Sequence, residues 1–370
     1  LLIMAKSLGG GGSEVALIEL INALPEELYN ITLVLLDSDN EYAYRLKKNV
    51  NIVQLTFNSS FAKSLVSMYA FPAKVLKKLS VNSFIAYYDF ISNCVTNVFE
   101  KTYDIAIDFY GYGSFVTAFL ATKIQAKKKA TWLHDEKPYW MKSVQKYLCE
   151  YDKIYGVSQA VVDAFCREYP HYKDKAAVFY NVIDIEEIKR KSEQDEIIPF
   201  KESFNIVTVG RLTEQKGYDI AIKAASILKK RKINFAWYAI GGGRDEKKLK
   251  KLVEKYCLEN QFVFLGRKKN PYPYMKHCDL YVQPSRHEGY VITLVEARAL
   301  CLPILSSDIP SAREQIQDGI NGYVAELSAE DLADKIEYLY NNPSQRKKTV
   351  EYLKEHPIDF STELLKLEII

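Results

Sequence analysis

The sequence lacks most of the features that assign a chemistry at sight. No apolar run reaches the roughly 18 to 20 residues a membrane-spanning helix needs, so a transmembrane protein is not expected. Six cysteines are scattered through 370 residues, with no C-x-x-C pair among them. That argues against a disulfide scaffold or zinc ribbon and for reduced, mostly buried thiols in a cytosolic protein. The five histidines show no metal-ligand spacing, so neither a metal nor a cofactor is expected. No nucleophilic Ser-His-Asp elbow is visible. The net charge is only +3, which gives no reason to expect a nucleic-acid partner.

A more local absence is that of acid. Between Tyr42 and Tyr88 there is no Asp or Glu, while Arg45, Lys47, Lys48, Lys63, Lys74, Lys77 and Lys78 all fall in this stretch. Phe61, Tyr69 and Phe71 lie among the lysines. Apolar and cationic side chains in this mixture suit peripheral contact with an anionic membrane through 42–88. They suit equally well packed helices whose lysines reach out to water.

What the chain does contain is an ordered set of β/α alternations. Leu1–Met4, Ile31–Leu36, Asp104–Phe109, Lys129–Leu133 and Lys153–Val157 read as buried strands, the first followed by the glycines 9–12 and a helix with Leu17, Leu20, Ile21 and Leu24 on one face. A charged stretch without helical or strand pattern, Lys189–Lys201, separates the halves. Beyond it strands are expected at Phe204–Gly210, Phe235–Ile240, Phe262–Leu265, Leu280–Gln283 and Pro303–Ser306, with helices at Tyr218–Lys230, Asp245–Tyr256 and Tyr290–Leu300. The expectation is α/β: two Rossmann-like domains facing across a cleft. The first spans 1–182, the second 183–355, and the segment 356–370 packs back on the first.

Three clusters carry the chemistry. Glu288 and Glu296 stand eight residues apart in Ser285-Arg-His-Glu-Gly-Tyr-Val-Ile-Thr-Leu-Val-Glu-Ala297. The first lies in a loop and the second on the helix that follows. The N-terminus of that helix offers free N–H groups and a positive dipole end to a diphosphate. Each carboxylate can accept from a sugar diol on either side of that diphosphate, an arrangement found in a nucleotide-sugar. Gly210-Arg-Leu-Thr-Glu-Gln-Lys-Gly217 follows a strand, where ligands of open α/β sheets bind. Arg211 and Lys216 there can meet the charge of a departing diphosphate. His134 ends the run Ala130-Thr-Trp-Leu-His134 and can bond a sugar hydroxyl. The glycines 9–12 and 241–243 do not complete G-x-G-x-x-G, which argues against a nicotinamide enzyme.

These pieces, together with Tyr155-Gly-Val-Ser158, Tyr180-Asn-Val-Ile-Asp184, Phe264-Leu-Gly-Arg267 and Gly319-Ile-Asn-Gly-Tyr323, resemble in order the retaining nucleotide-sugar glycosyltransferases of family 4, which have the GT-B fold. The resemblance runs along nearly the whole chain. It implies that Glu296 holds the nucleotide ribose and Glu288 the donor sugar, with Gly289 beside it. Arg211 and Lys216 would hold the diphosphate, helped by backbone amides at Tyr290, Val291, Ile292 and Thr293. His134 would contact the sugar near the reacting carbon, Gly11 and Gly12 would approach donor or acceptor, and main chain at Arg267 would border the base. No metal is implied. Val291 stands where the family often has Gly or Pro. The implied reaction moves a hexose from a UDP-sugar, or secondarily a GDP-sugar, to a glycan or lipid-linked glycan acceptor. Alternatives are a sugar-nucleotide epimerase or phosphorylase of the same architecture, and a non-catalytic nucleotide-sugar or glycan-binding partner subunit.

Overall fold

A computed structural model of the chain describes residues 1–9, 11–67, 81–111, 114–194 and 200–368. The chain divides into two units, Leu1–Ile183 with Phe360–Ile370, and Asp184–Asp359.

In the first unit the strands are β1 Leu2–Ala5, β2 Thr32–Leu35, β3 Asn51–Gln54, β4 Tyr103–Asp108, β5 Ala126–Leu133, β6 Lys153–Gly156 and β7 Ala176–Val178. They form one sheet in the order β3-β2-β1-β4-β5-β6-β7, with every pair parallel. β1 is buried at all four positions, as a central strand covered on both faces must be. β3, at the edge, is exposed or half-buried throughout. The helix Ser361–Glu368 packs on this unit. Glu363 accepts from the Tyr180 amide at 2.9 Å, and Lys366 Nζ donates to the Val178 carbonyl at 3.0 Å.

The second unit holds β8 Phe204–Val209, β9 Phe235–Ile240, β10 Phe262–Gly266, β11 Leu280–Gln283, β12 Ile304–Ser307 and β13 Tyr323–Ala325. Their order is β10-β9-β8-β11-β12-β13, again all parallel. Trp237, Leu280, Val282, Ala221 and Ile222 are fully buried between the sheet and its helices. Each large aliphatic or aromatic chain so buried contributes roughly 1.5–3 kcal/mol.

Two expectations need correction. The stretch from Lys189 is not without structure, because a helix spans Ile185–Ser192. Asp184 caps it, accepting from the Glu187 amide at 2.8 Å, and Lys189–Glu186 and Arg190–Glu187 pairs run along its face. The charges that looked like a linker are the solvated side of a short helix, with Ile188 and Ser192 buried on the other. Residues 195–199 of that stretch lie outside the described residues. The thiols are free but not mostly buried: Cys94 and Cys278 are buried, Cys149 and Cys257 are exposed, and Cys166 and Cys301 are half-buried.

Candidate functional site

Strand order in the second unit reverses between β8 and β11, which are neighbours although seventy residues of chain separate them. The loops that leave the C-terminal ends of these two strands therefore diverge and leave a crevice at that edge. Both loops carry residues singled out from the sequence.

The loop after β8 is built on close backbone approach. The Gly210 amide donates to the Ile240 carbonyl at 2.9 Å, and the Leu212 amide to the Gly242 carbonyl at 3.1 Å. A Cβ on Gly241 would come within 1.9 Å of the Gly210 carbonyl oxygen, and Gly241 has φ +147°. Only glycine meets both demands there. Arg267, exposed after β10, lays its guanidinium chain against Gly242, so the glycines 241–243, Arg211 and Arg267 share one edge. Arg211 itself is exposed. Lys216 runs back over Gly210, with its Cδ in van der Waals range of the position a Cβ would take.

The loop after β11 is pinned to this one. Arg286 forms a two-pronged pair with Asp219, each contact 2.8 Å, and its guanidinium holds the Asp219 carboxyl below the usual carboxylate range. Gln215 Nε2 donates to the His287 carbonyl at 3.0 Å, and the Arg286 amide to the Gln215 carbonyl at 2.8 Å. Between these ties Glu288, only 7% exposed, meets Lys216: Nζ lies 2.6 Å from Oε1. Ser285 Oγ donates to the same oxygen at 2.7 Å, and Ser311 Oγ to the Glu288 carbonyl at 3.0 Å. Burying a carboxylate and an ammonium costs several kcal/mol per ion, which attraction offsets only when further hydrogen bonds are supplied. Ser285 supplies one.

The helix carrying Glu296 spans Ile292–Ala299, not Tyr290–Leu300. Tyr290 and Val291 precede it, and no side chain caps its start. Of the first-turn amides, Ile292 donates to the Tyr290 carbonyl at 3.2 Å and Leu294 to the Val291 carbonyl at 3.1 Å, while an uncapped start otherwise offers its amides to a ligand. Glu296, 8% exposed, accepts from the Tyr272 hydroxyl at 3.0 Å. Gly289 is buried in the loop. The Val291 side chain, 1% exposed, packs inward instead of standing in the loop. The Thr293 hydroxyl donates to Gln283 Oε1 at 3.0 Å, so its side chain points into the unit.

In the first unit, strand order reverses between β1 and β4. His134 follows β5, and its Nε2 lies 2.7 Å from the Phe109 carbonyl oxygen, just past β4. Because a carbonyl can only accept, Nε2 carries the proton and Nδ1 is left as an acceptor. Burial pushes the imidazole down to about 4, so it is neutral at physiological pH. His134 lines a small cavity with Gly111, Leu133, Asp135, Lys137 and Met141. Beneath it, buried Asp108 accepts from Thr117 at 2.6 Å, Thr131 at 2.9 Å and the Gly111 amide at 3.0 Å. Gly11 and Gly12 open the helix Gly12–Ala23; Gly10 lies outside the described residues. Gly11 is extended, and a Cβ there would strike the Glu14 carboxylate.

The sequence reading missed Tyr272, Ser285, Ser311 and Asp108. Ser285 and Gln283 stood inside the motif as bystanders. Their signal was the i, i+2 spacing of Tyr281 and Gln283, two polar-tipped residues on a strand with no exposed position. Arg45, counted among the membrane-facing cations, instead turns inward on Glu19 at 2.7 Å. Phe71, Tyr69, Lys74, Lys77 and Lys78 lie in 68–80, outside the described residues. Among the described residues no group of His, Cys, Asp or Glu could hold a metal ion, and no helix is long and apolar enough to cross a membrane.

Residues 189–356 match the family model described as glycosyl transferases group 1. An uncharacterized glycosyltransferase of Methanocaldococcus jannaschii is 33% identical over 172 residues, 45% of this chain and 40% of that protein. The N-acetylgalactosamine-N,N'-diacetylbacillosaminyl-diphospho-undecaprenol 4-alpha-N-acetylgalactosaminyltransferase of Campylobacter jejuni is 30% identical over 184 residues, 47% of this chain and 49% of that protein. The chain thus spans about half the length of these curated relatives. HepE of Anabaena, solved with UDP and glucose, superposes with a TM-score of 0.73 at 18% identity, covering 100% of this chain and 98% of that one. The two parallel-sheet α/β units are those of the GT-B fold.

Proposed function

We propose that the chain, whose residues 189–356 match the family model of glycosyl transferases group 1, is a retaining glycosyltransferase. In this reading it is of the family 4 kind and moves a hexose-type sugar from a UDP-linked donor, with GDP-linked donors second. The acceptor is a glycan or lipid-linked glycan of surface polysaccharide synthesis. The observation that carries the reading is the buried Lys216–Glu288 pair at the reversal of strand order, with Glu296 on the helix that follows the same loop.

Such a pair suits a ligand whose charge and hydroxyls are adjacent. A diphosphate meets Lys216 and Arg211, and the sugar beyond it meets Glu288. Glu296 takes the ribose diol, and main chain at Arg267 borders the base. Charge on the departing diphosphate is met by these two cations and by the first-turn amide of Thr293, without a divalent ion. No carboxylate in the reading acts as nucleophile. The acceptor hydroxyl attacks on the face from which the diphosphate leaves and passes its proton to a diphosphate oxygen, so the anomeric configuration is kept. His134 contributes as a neutral imidazole that bonds a sugar hydroxyl, and Gly11 and Gly12 let main chain approach the substrates. The acid-free stretch 42–88 serves as the contact with the anionic inner face of the membrane, where a lipid-linked acceptor resides.

The test is a thermal-shift screen over UDP, GDP and their hexose conjugates, followed by NMR of the anomeric proton in the transferred product. A ligand at a hundred times its Kd adds about 2.7 kcal/mol to apparent stability. The reading expects a shift with UDP and its conjugates, turnover that survives chelation, and retained configuration. No shift with any nucleotide and no donor hydrolysis would leave a non-catalytic role. An inverted product would remove the mechanism.

A further inference from the structure

Behind Glu288 runs a chain of buried side chains whose hydrogen bonds all point one way. Gln283, fully buried at the end of β11, accepts at Oε1 from the Tyr281 hydroxyl at 2.5 Å and from Thr293 Oγ1 at 3.0 Å. Its Nε2 donates to Ser285 Oγ at 2.6 Å. A serine hydroxyl has a single proton, so Ser285, already accepting from Gln283, spends that proton on Glu288 Oε1 at 2.7 Å. With Lys216 on the same oxygen at 2.6 Å, Oε1 is occupied twice. Oε2 has no protein partner among the described residues.

The amide of Gln283 decides that direction. Turned over, it would present Oε1 to Ser285 and claim the serine proton. Ser285 would then show a lone pair to the Glu288 carboxylate, and two amide protons would face the hydroxyls of Tyr281 and Thr293. The main chain along this path is held separately. Ser307 Oγ donates to the Ser285 carbonyl at 2.5 Å, and Ser311 Oγ to that of Glu288 at 3.0 Å. A network ending on main chain would be structural alone. This one ends on a carboxylate at the strand-end crevice and leaves one of its oxygens without a protein partner among the described residues.

We infer that Gln283 is a positioning residue for the donor sugar: through Ser285 it fixes the carboxylate of Glu288 so that Oε2 is offered to a sugar hydroxyl. The inference rests on the glycosyltransferase reading of Glu288. Removal of Gln283 leaves Ser285 free to rotate and the carboxylate free to swing toward Lys216. A misplacement of about 1 Å at a reacting centre costs up to about a hundredfold in rate.

The experiment compares the full chain with Gln283→Met, Ser285→Ala, their double variant and Tyr281→Phe. For each, kcat for the best donor found in the nucleotide-sugar screen is measured beside UDP affinity by calorimetry. Gln283→Met is expected to lower kcat by about 10- to 100-fold and UDP affinity by far less, because the ribose contact lies elsewhere and Thr293 meets the diphosphate through main chain. Tyr281→Phe, which keeps the ring and removes one donor to Oε1, should give a smaller loss in the same sense and covers the case in which Gln283→Met does not fold. The double variant should be no worse than Ser285→Ala, since both act through one hydroxyl. Full kcat in Gln283→Met, or equal losses of kcat and UDP affinity in both Gln283→Met and Tyr281→Phe, would overturn the inference while leaving the functional reading intact. A wild-type chain that neither binds UDP nor turns over any nucleotide-sugar would overturn the functional reading instead.

Discussion

In the second unit, Lys216, Ser285 and Ser311 converge on Glu288, and Tyr272 stands on Glu296. In the first unit, His134 rests against the Phe109 carbonyl beside a small cavity, and the buried carboxylate nearby, Asp108, accepts from two threonines and the Gly111 amide. One unit invests in charge that is paired and held. The other offers a neutral ring and a shaped wall. A nucleotide diphosphate presents the same charges and diols whatever sugar it carries, so a fixed constellation can serve it. A glycan acceptor presents hydroxyls whose positions differ from one acceptor to the next. In the proposed reading, a surface for it on the first unit can vary without disturbing the charged half.

The sharpest way to break this contrast is to strike the paired charge. Lys216→Ala should lower kcat by about a hundredfold or more, the scale of losing one charge-stabilising donor, and it leaves Glu288 buried without its cation. Lys216→Arg should not restore activity, because a planar fork cannot replace a point charge beside Glu288. Turnover close to wild type in Lys216→Ala would remove the lysine from the mechanism.

Glu296→Ala tests the nucleotide half more gently. A hydrogen bond to a charged group contributes about 1.5–3 kcal/mol, so UDP affinity should fall by about 10- to 100-fold. Tyr272→Phe should follow in the same direction with a smaller loss, read by the same calorimetric titration. UDP binding unaffected in Glu296→Ala would mean that the ribose is held elsewhere.

In the first unit a smaller effect is expected. His134→Ala should reduce kcat by about five- to tenfold, the worth of one neutral hydrogen bond, and spare UDP affinity. His134 also gives a pH signature. Its folded pKa, about 4, lies below its ordinary 6.5 because burial disfavours the cation. The unfolded chain therefore binds more protons between those values. Stability present above pH 6.5 is lost as pH falls toward 4. His134→Asn should flatten that loss relative to wild type in urea melts at pH 7, 6, 5 and 4. Asp108, whose carboxyl is pushed up by burial, acts in the opposite sense in both proteins, so the difference between them isolates His134. Parallel curves would show the ring to be open to water.

Central strands were legible in the sequence because a parallel strand covered on both faces reads as a mostly apolar run; Phe235–Ile240 and Leu280–Gln283, the second broken only by its terminal Gln283, were expected and observed with the same bounds. The edge strand Asn51–Gln54 was not, since its polar, exposed positions carry no such run. The helix Ile185–Ser192 was hidden by its charge, and Asp184 as its cap was the signal overlooked. Of the candidate site, the residues whose type implies charge chemistry stood out. Those that aim them, Gln283, Ser285 and Tyr272, did not: the i, i+2 spacing of Tyr281 and Gln283 marks a buried polar pair, but the direction of their hydrogen bonds is a property of three-dimensional placement.

The central claim is a division of labour between two glutamates of one loop and helix, and parallel calorimetry of UDP on Glu288→Ala and Glu296→Ala, with donor turnover on the same preparations, tests it most directly. The account predicts weakened UDP binding in Glu296→Ala only, and in Glu288→Ala nearly unchanged UDP binding with turnover lost. Equal loss of UDP affinity in both variants would contradict it.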